Sequence, residues 1–328
     1  MGLGIASFSR FITEMNHRAQ NSDAEDLARW AVCELSGTLG FDAAWYGWAT
    51  LRQDGVEVYA NTTFNLPENY YRNWLRMADQ DLLARSMIEN PGYVATYDRG
   101  QSRQTDGMAD LSDNYDLRRM ATAMNGRYGD FANFYISSYR NGKAARAFNG
   151  EERDFLQCAV NHLSSAMKLS TSEPGRAVVP DSVTILASKD GIGLLCLDAL
   201  RERFGEIWPR WRGDNLPDQL ACLMARPGTH VLPDHDLVVC VETTPGVQDM
   251  DLRRVTLRRL RGFDRLTKRE REVARALAGG KSAKEVARQF GLAPATVRNQ
   301  TQSIYQKLQV DNRAELAAAV SVVGMSLS

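Results

Sequence analysis

Arg298, Asn299, Thr301, Gln302 and Gln306 alternate with apolar Val297, Ile304 and Leu308 at spacings that put the polar set on the outer face of one helix. These side-chain types share one chemistry. An arginine matches the O6 and N7 of guanine with two parallel donors, and Asn or Gln matches N6 and N7 of adenine, each pairing discriminating by about 1–3 kcal/mol. A polar helix face is by default merely solvated, so this reading depends on what frames the helix.

The frame consists of four short helices with their punctuation intact. Thr267 with Glu270, and Ser282 with Glu285, fit the capping box, in which a hydroxyl takes a backbone N–H three residues on and the glutamate reaches back. Asn312 to Glu315 is a looser version, Pro294 suits a first helical position, and Gly279, Gly280 and Gly291 supply stops. Helices are therefore expected over 268–278, 283–290, 294–308 and 313–323. Val273 with Leu277, Val286 with Ala287 and Phe290, and Val297 with Ile304 and Leu308 form the stripes that bury against one another. The short turn 291–293 sets the second and third helices at a steep angle, so that the third can enter a DNA major groove.

The run Leu266-Thr267, Arg269 to Val273, Gly280, Ser282, Lys284 to Ala287, Thr296 to Arg298, Ile304-Tyr305, Lys307 to Val310 and Asn312 to Glu315 resembles the LuxR-type (NarL/FixJ-type) helix-turn-helix domain. The resemblance implies double-stranded DNA as partner, Lys284 and Thr296 on phosphates, and Arg298, Asn299 and Gln302 facing bases. It also implies a homodimer on two half-sites, with RNA polymerase as a further partner. Leu316, Ala319, Val320 and Val323 make an apolar stripe on the last helix that is a candidate dimer contact, shared with core packing. Two residues depart from the pattern: Ala293 stands where a capping serine is usual, and Gln300 where a histidine is common.

Charge is polarised in the same sense. The chain carries 40 Lys and Arg against 40 Asp and Glu, yet residues 256–328 hold 14 against 6 and the remainder 26 against 34. A basic end joined to an acidic remainder suits one region for a polyanion and leaves the other for a different task.

The 328 residues, 44% hydrophobic, suffice for two or three ordinary cores. A secretory leader and an apolar run near 18 residues are both lacking from the sequence, so a cytoplasmic protein without membrane contact is expected. Cys33, Cys158, Cys196, Cys222 and Cys240 are odd in number and widely spaced, which reads as reduced thiols.

Residues 1–172 hold 22 of the 28 aromatic residues. Helices are expected over 23–39, 67–78, 80–89, 113–125 and 150–169, and strands over 43–51, 56–62, 93–97 and 130–139. This α+β pattern resembles GAF/PAS-type sensor domains and the autoinducer-binding domain of quorum-sensing LuxR proteins. Leu66-Pro67 followed by Tyr70, Trp74 and Asp81 carries the second likeness in part, with Leu82 where that family has proline. A pocket for a small apolar or aromatic ligand, walled by Trp45, Tyr59, Tyr70, Trp74, Tyr93 and Tyr135 and anchored by Asp81, is one reading. Plain core packing is the other.

Residues 178–245 read as a small PAS-like α+β unit, with strands over 182–187, 192–196 and 237–243, a helix over 197–204 and a helical region near 216–224. Trp208 and Trp211 are either core or partner surface. The arginine-rich stretch 246–262 is expected as a connecting helix, leaving 263–328 as the DNA-binding domain.

Catalytic signatures are lacking. His230 and His235 lie near Asp234 and Asp236 in an expected surface loop, with too few converging ligands for a metal, and there is no phosphate-binding Gly-rich lysine loop or nucleophile elbow. No cofactor, metal or catalytic residue is expected. The sequence points to a multidomain, one-component regulator that is not an enzyme, with two alternatives left open: a ligand-independent sensor domain serving dimerisation or protein contact, and a GAF-like enzyme module.

Overall fold

The computed structural model describes residues 3–53, 55–100, 104–126, 132–170, 181–244 and 251–324, the last four by backbone alone. The chain divides into two compact units, one made of residues 1–174, 184–228 and 241–255, the other of 175–183, 229–240 and 256–328.

The N-terminal sequence runs through α1 (Ile5–Ala19), α2 (Ala24–Leu39), β1 (Ala43–Arg52), β2 (Gly55–Phe64), α3 (Tyr70–Leu75), α4 (Leu82–Glu89), β3 (Ala95–Asp98), α5 (Asp106–Asn114), β4 (Leu117–Met124), β5 (Asn133–Asn141) and α6 (Gly150–Ser170). The five strands form an antiparallel sheet in the order β2-β1-β5-β4-β3. Alternation along β1 divides its side chains between two cores. Ala44, Tyr46 and Trp48 face the layer of α1, α2 and α6, while Ala43, Trp45, Ala49 and Leu51 face α3, α4 and α5. A five-stranded sheet between helical layers is the GAF/PAS-like arrangement expected from the sequence.

Local signals account for the helix ends. Asp23 caps α2 through a 2.9 Å bond from Asp26 N, and Gly40 closes that helix in the left-handed conformation. At the far end of the sheet, Arg140 and Glu152 form an ion pair buried on both sides. Burial alone would raise the Glu152 carboxyl, but guanidinium bonds from Arg146 and Arg140 and the Asn149 N–H hold it down at about 2.

One expected helix is largely a strand. Residues 113–125 end α5 at Asn114, turn through Asp116 at φ 54° and continue as β4. The apolar positions there suit either period, and pairing with β3 and β5 decides between them.

The second sheet contains β6 (Ser182–Ser188), β7 (Gly193–Leu195), β8 (Gly228–Leu232), β9 (Leu237–Thr243) and β10 (Leu252–Arg259), in the order β7-β6-β10-β9-β8, with α7 (Leu197–Phe204) and α8 (Asp218–Ala221) between β7 and β8. Within its described part, 251–262, the arginine-rich stretch therefore forms strand β10 and not a connecting helix. Leu252 to Val255 and Leu257 are buried along β10, and pairing within the sheet overrides the weak helical spacing of Leu252, Val255 and Leu260. Trp208 and Trp211 are buried. His230 lies on β8 and His235 in a short 3-10 turn, and among the described residues no group of three or more His, Cys, Asp or Glu is placed to hold a metal. The boundaries expected at 172–178 and 245–246 fall largely within 171–180 and 245–250, outside the described residues.

The chain ends in α9 (Lys268–Ala278), α10 (Ala283–Phe290), α11 (Pro294–Leu308) and α12 (Arg313–Gly324), at the expected positions. Their core gathers Phe263, Leu266, Val273, Leu277, Val286, Val297, Ile304 and Leu316. Among the described residues no helix is long and apolar enough to cross a membrane.

Candidate nucleic-acid interface and ligand cavity

Both capping boxes form as the sequence requires. Thr267 Oγ1 accepts from Glu270 N at 3.2 Å while Glu270 Oε2 accepts from Thr267 N at 2.8 Å. Ser282 Oγ accepts from Glu285 N at 3.3 Å while Glu285 Oε2 accepts from Ser282 N at 2.7 Å, and that backbone bond is the main reason the Glu285 carboxyl is lowered. Gly291 then stops α10 at φ 64°, ψ 35°, a left-handed conformation that glycine reaches without a Cβ penalty. Pro294 opens α11, and Ala293 ahead of it makes no side-chain cap.

The turn leaves one face of α11 open. Thr296, Arg298, Asn299, Gln302 and Gln306 on that helix, and Lys284 on α10, are all exposed. Thr301 is different, since its hydroxyl donates to Val297 O at 2.7 Å and the residue is partly buried. It is a helix back-bond and not a base reader.

Behind that face α11 is fastened by charge. Lys307 Nζ lies 2.7 Å from each Glu270 oxygen, and Ser303 Oγ donates to Oε1 at 3.0 Å. Burial opposes ionisation of Glu270, but these bonds and the Thr267 N–H outweigh it and hold the carboxyl near 2. Arg313 donates to Leu277 O at 2.8 and 2.7 Å and to Lys281 O at 2.8 Å, so the start of α12 satisfies carbonyls at the end of α9. Sequence reasoning did not find the Glu270–Lys307 or Arg313 contacts, which join residues more than 30 positions apart.

The expected dimer stripe needs correction. Leu316 is fully buried in its own four-helix core, so it is not available to a second copy. Val320 packs partly against the same core, Ala319 is half-buried, and the Val323 side chain lies outside the described residues.

Residues 264–320 match the family of bacterial regulatory proteins, luxR family. This part of the chain is a LuxR-family helix-turn-helix domain. It is 50% identical over 54 residues to the transcriptional regulatory protein UhpA of Escherichia coli K12, covering 16% of this chain and 28% of UhpA. It is 46% identical over 50 residues to the transcriptional regulatory protein DesR of Bacillus subtilis 168, covering 15% and 25%. The chain thus matches only about a quarter of the length of these relatives. Among solved structures, Escherichia coli SdiA aligns over 98% of this chain and all of its own, at 16% identity and a TM-score of 0.35. The phycoerythrobilin-bound GAF domain of a cyanobacterial phytochrome aligns over 52% and 97%, at 15% identity and a TM-score of 0.36.

In the N-terminal sheet, the structure brings together most of the aromatic residues singled out from the sequence. Trp45 is the hub, with ring centroids 5.6 Å from Tyr70, 4.8 Å from Trp74 and 5.2 Å from Tyr135. Two expected walls are elsewhere. Tyr93 precedes β3 and is 76% exposed, because the strand starts only at Ala95. Tyr59 is the extra residue of a bulge, where Trp48 pairs with Ala60 but Ala49 with Val58, and it packs on the opposite core.

Asp81 does not present free oxygens. Its Oδ1 caps α4 by accepting from Leu83 N and Ala84 N at 2.8 and 3.1 Å, and Oδ2 accepts from Trp74 Nε1 at 2.8 Å. Burial raises its carboxyl, opposed by those three bonds. Tyr70 Oη donates to Tyr139 Oη at 2.9 Å, and Thr122 and Ser137 pair their hydroxyls at 2.8 Å. Beside these groups lies a cavity of about 20 Å³, bounded by Trp45, Trp74, Asp81, Met87, Thr122, Met124, Tyr135 and Ser137 among others, with the expected wall Tyr70 and its partner Tyr139 outside its lining, enough for roughly one water. Tyr135 Oη is buried with no hydrogen-bond partner among the described residues. Met87 was within reach of sequence reasoning, since it shares the buried face of α4 with Leu83. Thr122 and Met124 were not, because the apolar spacing of 113–125 predicts a helix where the chain forms β4.

Proposed function

We propose that this protein is a cytoplasmic, one-component transcription regulator that binds DNA as a homodimer through α11 and changes its DNA affinity when a small molecule occupies the N-terminal cavity. The observation that carries the DNA reading is the exposed row Arg298, Asn299, Gln302 and Gln306 on α11, the second helix of a helix-turn-helix in which α10, and α9 before it, open on closed capping boxes. Two such helices on two half-sites one helical turn apart, about 34 Å, reach successive major grooves on one side of the duplex, so a sensor that alters dimer geometry alters affinity. Enrichment of full-length protein on a random duplex pool tests this. The expected product is a two-half-site sequence; enrichment of no sequence above background contradicts it.

The ligand reading rests on Tyr135. A buried phenol without a partner costs about 1–3 kcal/mol, and a ligand carbonyl at the cavity would accept its hydrogen bond. Trp45, Trp74, Met87 and Met124 supply polarisable apolar walls. The cavity is small, so binding is accompanied by side-chain displacement. Native mass spectrometry of the protein from its host reports a retained molecule and the oligomeric state together. Asp81, committed to the cap and to Trp74, anchors the wall more directly than it anchors a ligand. The reading assigns no catalytic role to any residue.

A further inference from the structure

We infer that Glu25 is a proton-binding site, a buried carboxyl in the first turn of α2 beside Thr244, just past β9, that is accommodated in the neutral form and weakens the packing around it when ionised. The residue is 3% exposed. One oxygen accepts from Thr244 Oγ1 at 3.1 Å, and the other, Oε2, has no hydrogen-bond partner among the described residues. It stands at a cavity of about 10 Å³ lined by Asp23, Ser170, Ile185, Leu186, Thr244 and Arg254. That space is at the lower limit for one water and excludes a hydrated cation. Neutralisation therefore falls to a proton.

The surroundings act on the charge in both directions, and burial dominates. On α2, Asp23 and Asp26 disfavour the charge and Arg29 favours it, while Tyr46 on β1 lies within electrostatic reach. Arg254 on β10 lines the cavity without hydrogen bonding to Oε2, and β6 contributes only Ile185 and Leu186. Burial is the largest influence and pushes the carboxyl up to about 7, against the Thr244 bond. Because the folded value lies above the ordinary 4.5, the stability this group contributes is complete below pH 4.5 and is lost as pH rises through about 7. The packing around the start of α2 thus weakens within the physiological range, the Thr244 bond to the carboxylate offsetting only part of the cost of burial.

Melting of the full chain between pH 5.5 and 8.5, in wild type and Glu25→Gln, tests the assignment. Wild type is expected to lose a few degrees of Tm across that range relative to the variant, whose amide stays neutral. Infrared titration gives a second readout, in which wild type shows a protonated carboxyl band that disappears near pH 7. Thr244→Val removes the bond that lowers the group and should move that titration upward. Should Glu25→Gln not fold, the infrared titration with and without Thr244→Val decides alone. Equal pH slopes in wild type and Glu25→Gln, or a wild-type chain with no carboxyl band titrating near neutrality, or a band indifferent to Thr244→Val, overturns the proposal.

Discussion

Lys307 Nζ meets both carboxylate oxygens of Glu270 at 2.7 Å, an ion pair that ties α11, the second helix of the helix-turn-helix, to the first turn of α9. The same carboxylate closes the capping box of α9, so one side chain sets a helix start and holds another helix in place.

Glu270→Gln should therefore cost about 1–3 kcal/mol of stability by leaving Lys307 without its charge partner. Specific DNA affinity should fall more than non-specific affinity, because the misplaced helix loses base contacts before phosphate contacts. Thermal melts beside binding curves check both; an unchanged Tm sinks the role given to the pair.

Acid should act through the same group. Glu270 is held near 2 when folded, below its ordinary 4.5, so its contribution is present above pH 4.5 and is lost as pH falls through about 2. The domain should lose up to roughly 3 kcal/mol over that window, and Glu270→Gln should lose less. Urea midpoints measured at pH 5 and pH 3 for the two proteins give the comparison.

Ala293→Ser should supply the missing hydroxyl cap at the start of α11 and add about 1 kcal/mol. A midpoint lowered by the substitution would show that the backbone at 293 does not admit the cap.

Tyr135→Phe separates pocket from core. Removing an unpartnered buried hydroxyl should leave the ligand-free Tm unchanged or raised, yet abolish the stabilisation by a binder found among lactones, aromatic acids and steroids, which grows as RT ln(1 + [L]/Kd). Trp74→Phe should instead lower the ligand-free Tm, since it orphans Asp81 Oδ2. Equal ligand-induced shifts in wild type and Tyr135→Phe would place the ligand elsewhere.

The C-terminal domain was legible because its instructions are local: Thr267 with Glu270, Ser282 with Glu285 and Gly291 each act within three or four residues. The aromatic cluster was legible for a similar reason, since Tyr70 and Trp74 share a helix face by spacing and Trp45 meets them from a strand. What escaped depends on distant pairing. Leu117–Met124 and Leu252–Arg259 carry apolar residues compatible with a helix, and only neighbouring strands make them β. The bulge that turns Tyr59 to the other core exists only in the register between β1 and β2.

In the proposed function α11 reads base edges while Lys284 on α10 holds phosphate. Fluorescence anisotropy of full-length protein on its enriched operator and on scrambled duplex, across a salt series, tests it most directly. Lys284→Ala should weaken both DNAs alike and reduce the salt slope by about one, whereas Arg298→Ala should weaken operator alone by about 1–3 kcal/mol. Equal loss on operator and scrambled DNA for Arg298→Ala would contradict the account.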